Sequence, residues 1–158
     1  MRVSDGGSQT RERFAAGLRE VEPLLSRHGF IRTCDEFGKG SGGPFAEATF
    51  ARDERSVTLW LRGESLNVIY RCRDAKVDHL GYMREMAGVG GANEFPTYGA
   101  DAIASFRALA RDLLRFGGDF IEGDGQRLEA AAKRQAEAEQ MTPMKRLAAA
   151  EAAAKRSG

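Results

Sequence analysis

The spacing of apolar residues predicts an N-terminal helix that ends close to residue 29. Apolar side chains recur every three or four residues, which places them on one helix face: Phe14, Leu18, Val21 and Leu25. Pro23 lacks a backbone donor, so we expect the helix to kink or restart there. Gly29 can adopt the left-handed conformation that ends a helix, and Phe30 is then expected to fold back on Leu25.

From residue 30 to residue 72 the apolar period changes to two, which predicts four consecutive strands. The clearest alternation runs over 57–62, where every second residue is Val or Leu, and segments 30–34, 45–52 and 66–72 are interpreted as its neighbours. The glycine-rich run 38–44 is expected to end the first strand. Because the connections are short, the strands should form an antiparallel meander, which makes the fold class α+β.

Helical spacing returns after residue 74. A short helix is expected over 80–87 and a longer one from Asp101 to Gly117, flanking the four-stranded sheet. From Gln126 onward alanine and charge dominate, which predicts a helical tail with a break where Thr142 caps and Pro143 opens a new helix. The expected organisation is a disordered segment 1–9, a single α+β domain 10–122 and an Ala/charge-rich helical extension 123–158.

The charge and the cysteine content of the chain limit the classes of partner and the compartment that we expect. The 158 residues include 24 basic and 23 acidic side chains, so a formal net charge of +1 gives no general attraction to nucleic acid or anionic membranes. The seven basic and four acidic residues from Gln126 onward leave a nucleic-acid role for the tail as a lesser alternative. No apolar run approaches the roughly 20 residues that span a bilayer. The two cysteines, Cys34 and Cys72, are far apart, and the first residues lack the apolar run of a secretory signal, so we expect a cytoplasmic protein.

Motifs that could carry chemistry are weak. Gly38, Gly40 and Gly43 match the GxGxxG spacing, but Pro44 and a strand follow them instead of a helix that could hold phosphate. Two histidines and two cysteines lack the paired spacing of a zinc site. We therefore expect no cofactor or metal and assign no catalytic residue. A small enzyme or a ligand- or metal-binding domain that uses His79 with Cys72 or Cys34 stays open as the alternative.

Two groups of residues are candidates for binding another protein. If Val57, Leu59 and Leu61 face the core, the opposite sheet face carries Trp60, Arg62 and Arg71, and Trp and Arg commonly anchor interfaces. The alternative is that C-terminal helices cover this face. The second group is the loop with Phe95 and Tyr98, which either binds a partner or pins the loop to the core.

The order of these elements resembles that of small bacterial α+β proteins, among which polymorphic-toxin immunity proteins are found. The resemblance spans residues 10–122 and lies in the layout, carried by segments 24–30, 45–50, 57–62 and 106–114. It implies a non-enzymatic protein-binding module, an immunity-type inhibitor of a toxin or of another protein partner. A homodimer through the C-terminal helix, using the face with Met141, Met144 and Leu147, is a further expectation.

Overall fold

A computed structural model describes residues 6–96, 101–141 and 143–157. The strands are β1 (Ile31–Gly40), β2 (Gly43–Arg52), β3 (Arg55–Arg62), β4 (Ser65–Cys72) and β5 (Ala75–Asp78). The helices are α1 (Gly6–Arg27), α2 (His79–Met86), α3 (Ala102–Phe116), α4 (Gly118–Ile121), α5 (Gln126–Gln140) and α6 (Pro143–Ser157). The fold is α+β, with helices flanking one antiparallel sheet.

The sheet has five strands in the order β1-β2-β3-β4-β5, each antiparallel to its neighbour. The expected meander is present, but the count of four strands was wrong. β5 pairs with β4 from Cys72 opposite Ala75 to Ile69 opposite Asp78. Only Val77 of these four residues is a buried apolar residue, so the segment is too short for a period of two to stand out.

One face of the sheet forms the core together with α1 and α3. On this inner face β2, β3 and β4 bury Ala46, Ala48, Phe50, Val57, Leu59, Leu61, Leu66, Val68, Tyr70 and Cys72. The buried stripe of α1 contains the four apolar residues whose spacing predicted the helix. Gly17 of α1 allows the Phe106 ring of α3 to lie so close that an added Cβ would sit 2.1 Å from it.

Helix α1 differs from its prediction at its start and at Pro23. It begins at Gly6, within the segment 1–9 that was expected to be disordered, and it runs through Pro23 without a restart. Burial of Leu24 and Leu25 holds the last turn in place although Pro23 donates no hydrogen bond. The predicted glycine stop is present: Gly29 has a φ of +86°, and the Phe30 N–H donates to the Leu25 carbonyl at 3.0 Å.

The first hairpin is longer than expected, because glycine does not end β1. The β1–β2 ladder continues to the pair Gly40 and Gly43. Gly38 lies directly opposite Phe45, and the ring is so close that a Cβ on Gly38 would sit 2.9 Å from it. A neighbouring aromatic ring that covers a strand glycine compensates for its missing side chain. The expectation that residues 38–44 leave the ladder was therefore wrong.

The C-terminal helices differ in how far they are buried. Asp101 caps α3 by accepting the Ala104 N–H at 2.8 Å. Helix α5 buries Leu128, Ala131 and Ala132, whereas the described side chains of α6 are exposed. The predicted cap Thr142 lies outside the described residues. Among the helices of the described ranges, none is both long and apolar enough to cross a bilayer.

Candidate functional site

The second face of the sheet, which we call the outer face, is open over β1, β2 and β3 in the part of the chain that the structure describes. At β5 helix α5 lies beside it, where Ile69 and Gln135 line one groove. The alternating register places Trp60 opposite Asn67 and Ser56 opposite Arg71, all on the side away from the core. The inner-face residues named above are buried, whereas along β2, β3 and β4 no outer-face residue is buried to the same degree. The alternative that C-terminal helices bury Trp60 as a core residue does not agree with its half-buried state.

Trp60 lies in a small aromatic and cationic group, the outer-face cluster, which consists of Phe45, Trp60 and Arg62. The Arg62 guanidinium carbon is 4.5 Å from the centroid of the Trp60 ring, which is a cation–π contact. The rings of Phe45 and Trp60 are 6.2 Å apart between centroids, with 32° between their planes. All three side chains are half-buried, so each keeps a surface that a partner can contact.

The glycine-rich turn of the first hairpin makes room for Arg62. A Cβ on Gly42 would lie 2.2 Å from Arg62 Nη1, and one on Gly40 would lie 3.2 Å from Nη2. The Nε atom of Arg62 is buried and has no hydrogen-bond partner among the described residues. The glycines that matched GxGxxG thus lie in the ends of two paired strands, Gly38 and Gly40 in β1 and Gly43 in β2, around a two-residue turn. A strand follows them in the place where a phosphate loop would need a helix.

Charge is divided across the outer face. Glu36 of β1 lies opposite Glu47 of β2, which in turn lies opposite Trp60. At the other side, Arg71 of β4 lies opposite Lys76 of β5, and both are exposed. The outer-face cluster therefore sits between an acidic side formed by β1 and β2 and a basic side formed by β4 and β5.

The second predicted group does not join this surface. Phe95 is buried with 7% of its surface exposed, and its ring lies edge-on to His79 at 5.1 Å between centroids. This agrees with the alternative that Phe95 pins its loop to the core, and not with an exposed binding role. Tyr98 lies outside the described residues. Of the five predicted binding residues, Trp60, Arg62 and Arg71 share one face.

A buried hydrogen-bonded chain links the sheet, α2 and α3. The Tyr70 hydroxyl is 2.6 Å from His79 Nδ1, and His79 Nε2 is 2.9 Å from Asp112 Oδ2. Asp112 also accepts the backbone N–H groups of Glu94 at 2.7 Å and of Phe95 at 2.9 Å. These hydrogen bonds therefore fasten the loop that follows α2 onto α3.

Burial and hydrogen bonds shift the pKa values of Tyr70 and Asp112. Burial strongly raises the pKa of the Tyr70 hydroxyl, so it stays protonated. Burial alone would also raise the pKa of Asp112, but the hydrogen bonds from His79 and from the two backbone N–H groups outweigh it and lower the pKa. Asp112 is therefore held as a carboxylate.

Asp112, His79 and the Tyr70 hydroxyl are connected in the same order as the residues of a catalytic relay. Their burial in the core, however, is typical of residues that stabilise the fold. His79 is 1% exposed, and Tyr70 and Asp112 are 0% exposed, so no substrate can reach them without opening the core. Both imidazole nitrogens are already hydrogen-bonded. A groove of about 610 Å³ between α2 and α5 is lined by Leu80, Val89 and Met141 among others, and His79 is not part of its wall.

The cysteines do not share a site. Cys34 is exposed on the outer face of β1, whereas Cys72 is buried on the inner face of β4. Three strand spacings of about 4.8 Å separate these strands. Burial raises the pKa of the Cys72 thiol, against the attraction of Arg73 and Arg55. Within the described residues no group of three His, Cys, Asp or Glu side chains could hold a metal ion.

Sequence reasoning missed the partner of His79, although one signal for it was present. Asp112 lies on the buried stripe of α3, three residues after Leu109 and next to Leu113. A carboxylate on an apolar helix face requires a buried partner, because an unpaired buried charge is costly. That pattern indicates a buried ion pair or hydrogen-bonded chain, but it does not say which residue supplies the partner.

The sequence matches no protein-family model, and neither a curated protein nor a solved structure matches it significantly.

Proposed function

We propose that this chain is a non-enzymatic protein-binding module that contacts its partner through the outer face of the sheet. The layout resemblance to immunity proteins supports an inhibitory form of this role, in which the module covers a surface of a toxin or of another protein. The residues that we propose to carry the contact are Trp60, Arg62 and Arg71. We do not include Phe95, which is buried.

The observation that carries the proposal is the half-buried Trp60 at the centre of an otherwise open sheet face, with Arg62 stacked on it at 4.5 Å. Trp and Arg are the residues most often found at the energetic centre of protein interfaces. Phe45 and Arg62 hold the indole ring in place, so Trp60 itself would lose little side-chain entropy when a partner binds there.

The charges of the outer face determine the chemistry of the partner. A complementary protein surface presents an apolar side chain to Trp60 and carboxylates to Arg62, Arg71 and Lys76. Basic side chains of the partner would face Glu36 and Glu47. Such an arrangement of opposite charges fixes the orientation of a complex and raises its rate of formation.

The test compares two pairs of substitutions in the full chain. The wild-type protein captures its partner from an extract of the source cells, and the affinity of the purified pair is then measured by calorimetry. We expect Trp60→Ala and Arg62→Glu each to weaken binding by about 30-fold or more, which corresponds to about 2 kcal/mol.

Matched controls lie on α3, where Leu114 and Arg115 are exposed. Leu114→Ala and Arg115→Glu should leave the affinity within about twofold of wild type. If the folded outer-face variants bind like wild type, or if the α3 variants lose binding instead, the outer face is not the contact surface.

The alternative, an enzyme or a ligand- or metal-binding domain that uses His79 with a cysteine, has less support. Both nitrogens of His79 are engaged with Tyr70 and Asp112. Cys34 and Cys72 lie on opposite faces of the sheet. No observation on the described residues favours this function over protein binding.

A further inference from the structure

A helix contacts one edge strand of the sheet, whereas the other edge strand is exposed. At the β5 edge, α5 supplies Gln135, whose amide accepts the Asp78 N–H at 3.1 Å and donates to the Asp78 carboxylate at 2.8 Å. At the opposite edge β1 pairs only with β2 in the described part of the chain, and all ten of its residues are exposed. An edge of this kind presents unpaired backbone N–H and C=O groups that can accept another strand.

The part of β1 that can extend a ladder is its second half. A bulge at Thr33 interrupts the register between Arg32 and Cys34. From Cys34 to Gly40 the pairing with β2 is regular. Along this stretch Asp35, Phe37 and Lys39 lie on the inner side, and Cys34, Glu36, Gly38 and Gly40 lie on the outer side. The segment has seven residues, a usual length for a strand.

The charges of this segment are complementary to themselves in one antiparallel register. When two copies are related by a two-fold axis perpendicular to the sheet, residues on the same face lie opposite each other. With Phe37 opposite Phe37 of the second copy, Asp35 lies opposite Lys39 twice, and Glu36 lies opposite Gly38 twice. Opposite charges and aromatic rings at directly facing positions stabilise a strand pair.

The neighbouring registers are less favourable. Centring the pair on Asp35, Glu36 or Lys39 brings two like charges directly opposite each other, which destabilises strand pairing. Centring it on Gly38 brings two glycines together and loses both pairs of Asp35 with Lys39. Asp35 contacts Arg32 at 3.2 Å, and Arg32 also pairs with Glu22, so Arg32 keeps a carboxylate partner when Asp35 turns to Lys39 of the second copy. The charge pattern therefore selects the register that is centred on Phe37.

We propose that two copies of the chain pair antiparallel through β1, in the register centred on Phe37, and form one continuous sheet of ten strands, twice the five of a single copy. The two-fold axis places both outer faces on the same side of this sheet. The dimer thus presents two copies of the outer-face cluster in one direction, which allows a partner with two sites to bind with increased avidity. This inference goes beyond the binding role of a single copy and does not require it.

Sedimentation equilibrium of the full chain over a range of concentrations tests the dimer. We expect the mass to rise with concentration to twice the 17.2 kDa of one chain.

Lys39→Glu places a carboxylate opposite Asp35 at both symmetric positions, so it should raise the dimer dissociation constant by about tenfold or more. Lys76→Glu makes the same change of charge on β5, whose edge is covered, and should have no effect. The double variant Asp35→Lys with Lys39→Asp restores the opposite charges and should restore the dimer.

Disulfide formation tests the register. In a Cys34→Ser background, Phe37→Cys places two thiols directly opposite each other, with Cα atoms about 4.5–5.5 Å apart, within the range of about 4.4–6.8 Å that a disulfide spans. Asp35→Cys is the control, because its equivalent in the second copy lies four residues along the strand, about 13 Å away. We expect rapid covalent dimers from Phe37→Cys and few from Asp35→Cys.

Three results would overturn the proposal. The first is a mass that stays at one chain up to about millimolar concentration. The second is a dimer that survives Lys39→Glu but is lost in Leu147→Lys, which would place the contact on the exposed face of α6. The third is cross-linking that is faster through Asp35→Cys than through Phe37→Cys, which would establish a different register.

Discussion

At the scale of single residues, Asp112 joins three hydrogen-bond donors in the core. It is fully buried and accepts hydrogen bonds from His79 and from the N–H groups of Glu94 and Phe95. Each donor would be left without a partner if the carboxylate were removed. Buried polar groups that lose their partners carry a larger free-energy cost than the original bond contributed.

Asp112→Ala is therefore expected to lower the free energy of unfolding by about 3–5 kcal/mol. Urea denaturation monitored by circular dichroism measures the change. Asp74→Ala serves as the control, because Asp74 is exposed in the turn between β4 and β5 and its loss should cost less than about 0.5 kcal/mol. Equal stability losses in the two variants would show that the buried chain does not support the fold.

The lowered pKa of Asp112 also predicts a dependence of stability on pH. Because the pKa is lower in the folded state than in the unfolded chain, where it is about 3.9, the unfolded state binds more protons between the two values. The stabilisation by Asp112 is complete above the unfolded pKa and decreases as the pH falls towards the folded pKa. The stability difference between wild type and Asp112→Asn should shrink below about pH 4. A difference that stays constant from pH 6 to pH 3 would contradict this.

The sequence predicted which residues share a face of neighbouring strands. It did not predict contacts between residues that are far apart in the sequence. Alternation alone placed Trp60, Arg62 and Arg71 on one face, because neighbouring strands in a tight meander share a register. The contact between His79 and Asp112 joins residues 33 positions apart on two helices. The periodicity of a single sequence does not indicate such a pairing. The one signal for it was the position of Asp112 among apolar residues of α3.

At the scale of elements, the contact between α1 and α3 depends on a glycine. Gly17 is buried, and the Phe106 ring of α3 lies against its Cα. The close approach brings α3 onto the same inner layer as α1. Helix propensity alone would favour alanine at this position by about 1 kcal/mol. The close Phe106 ring, which leaves no room for a Cβ, accounts for the glycine.

Gly17→Ala should accordingly destabilise the protein, although it improves helix propensity. Its Cβ would overlap the Phe106 ring at 2.1 Å, and overpacking of this kind costs about 1–3 kcal/mol. Gly7→Ala is the matched control in the same helix, because nothing lies within 4 Å of its added Cβ. Thermal unfolding should show a lower Tm for Gly17→Ala and an unchanged or higher Tm for Gly7→Ala. The reverse order would show that the two helices are not in close contact.

The element predictions show which signals a single sequence carries. The long helices α1 and α3 and the strand β3 were identified because their periods extend over many residues. β5 was missed because four residues are too few for a period, and the end of β1 was placed too early because glycine disfavours strands. The ring of Phe45 over Gly38 overrides that preference, and this cross-strand contact is visible only once the register is known.

At the scale of the whole molecule, the two faces of the sheet differ in how far they are buried. The inner face is filled by helices and contains the buried chain of Tyr70, His79 and Asp112. The outer face remains open and carries the outer-face cluster between an acidic and a basic side. In our proposal the inner face makes the fold stable, and the outer face binds the partner.

Trp60 allows this proposal to be tested directly, because it is the only tryptophan in the chain. The measurement is the quenching of its fluorescence by acrylamide in the free protein and in the complex with the captured partner. We predict partial quenching in the free protein, as expected for a half-buried ring on an open face, and strong protection once a partner free of tryptophan, or one whose tryptophans have been replaced, is bound. Quenching that is unchanged by the bound partner would contradict the central claim that the outer face is the contact surface.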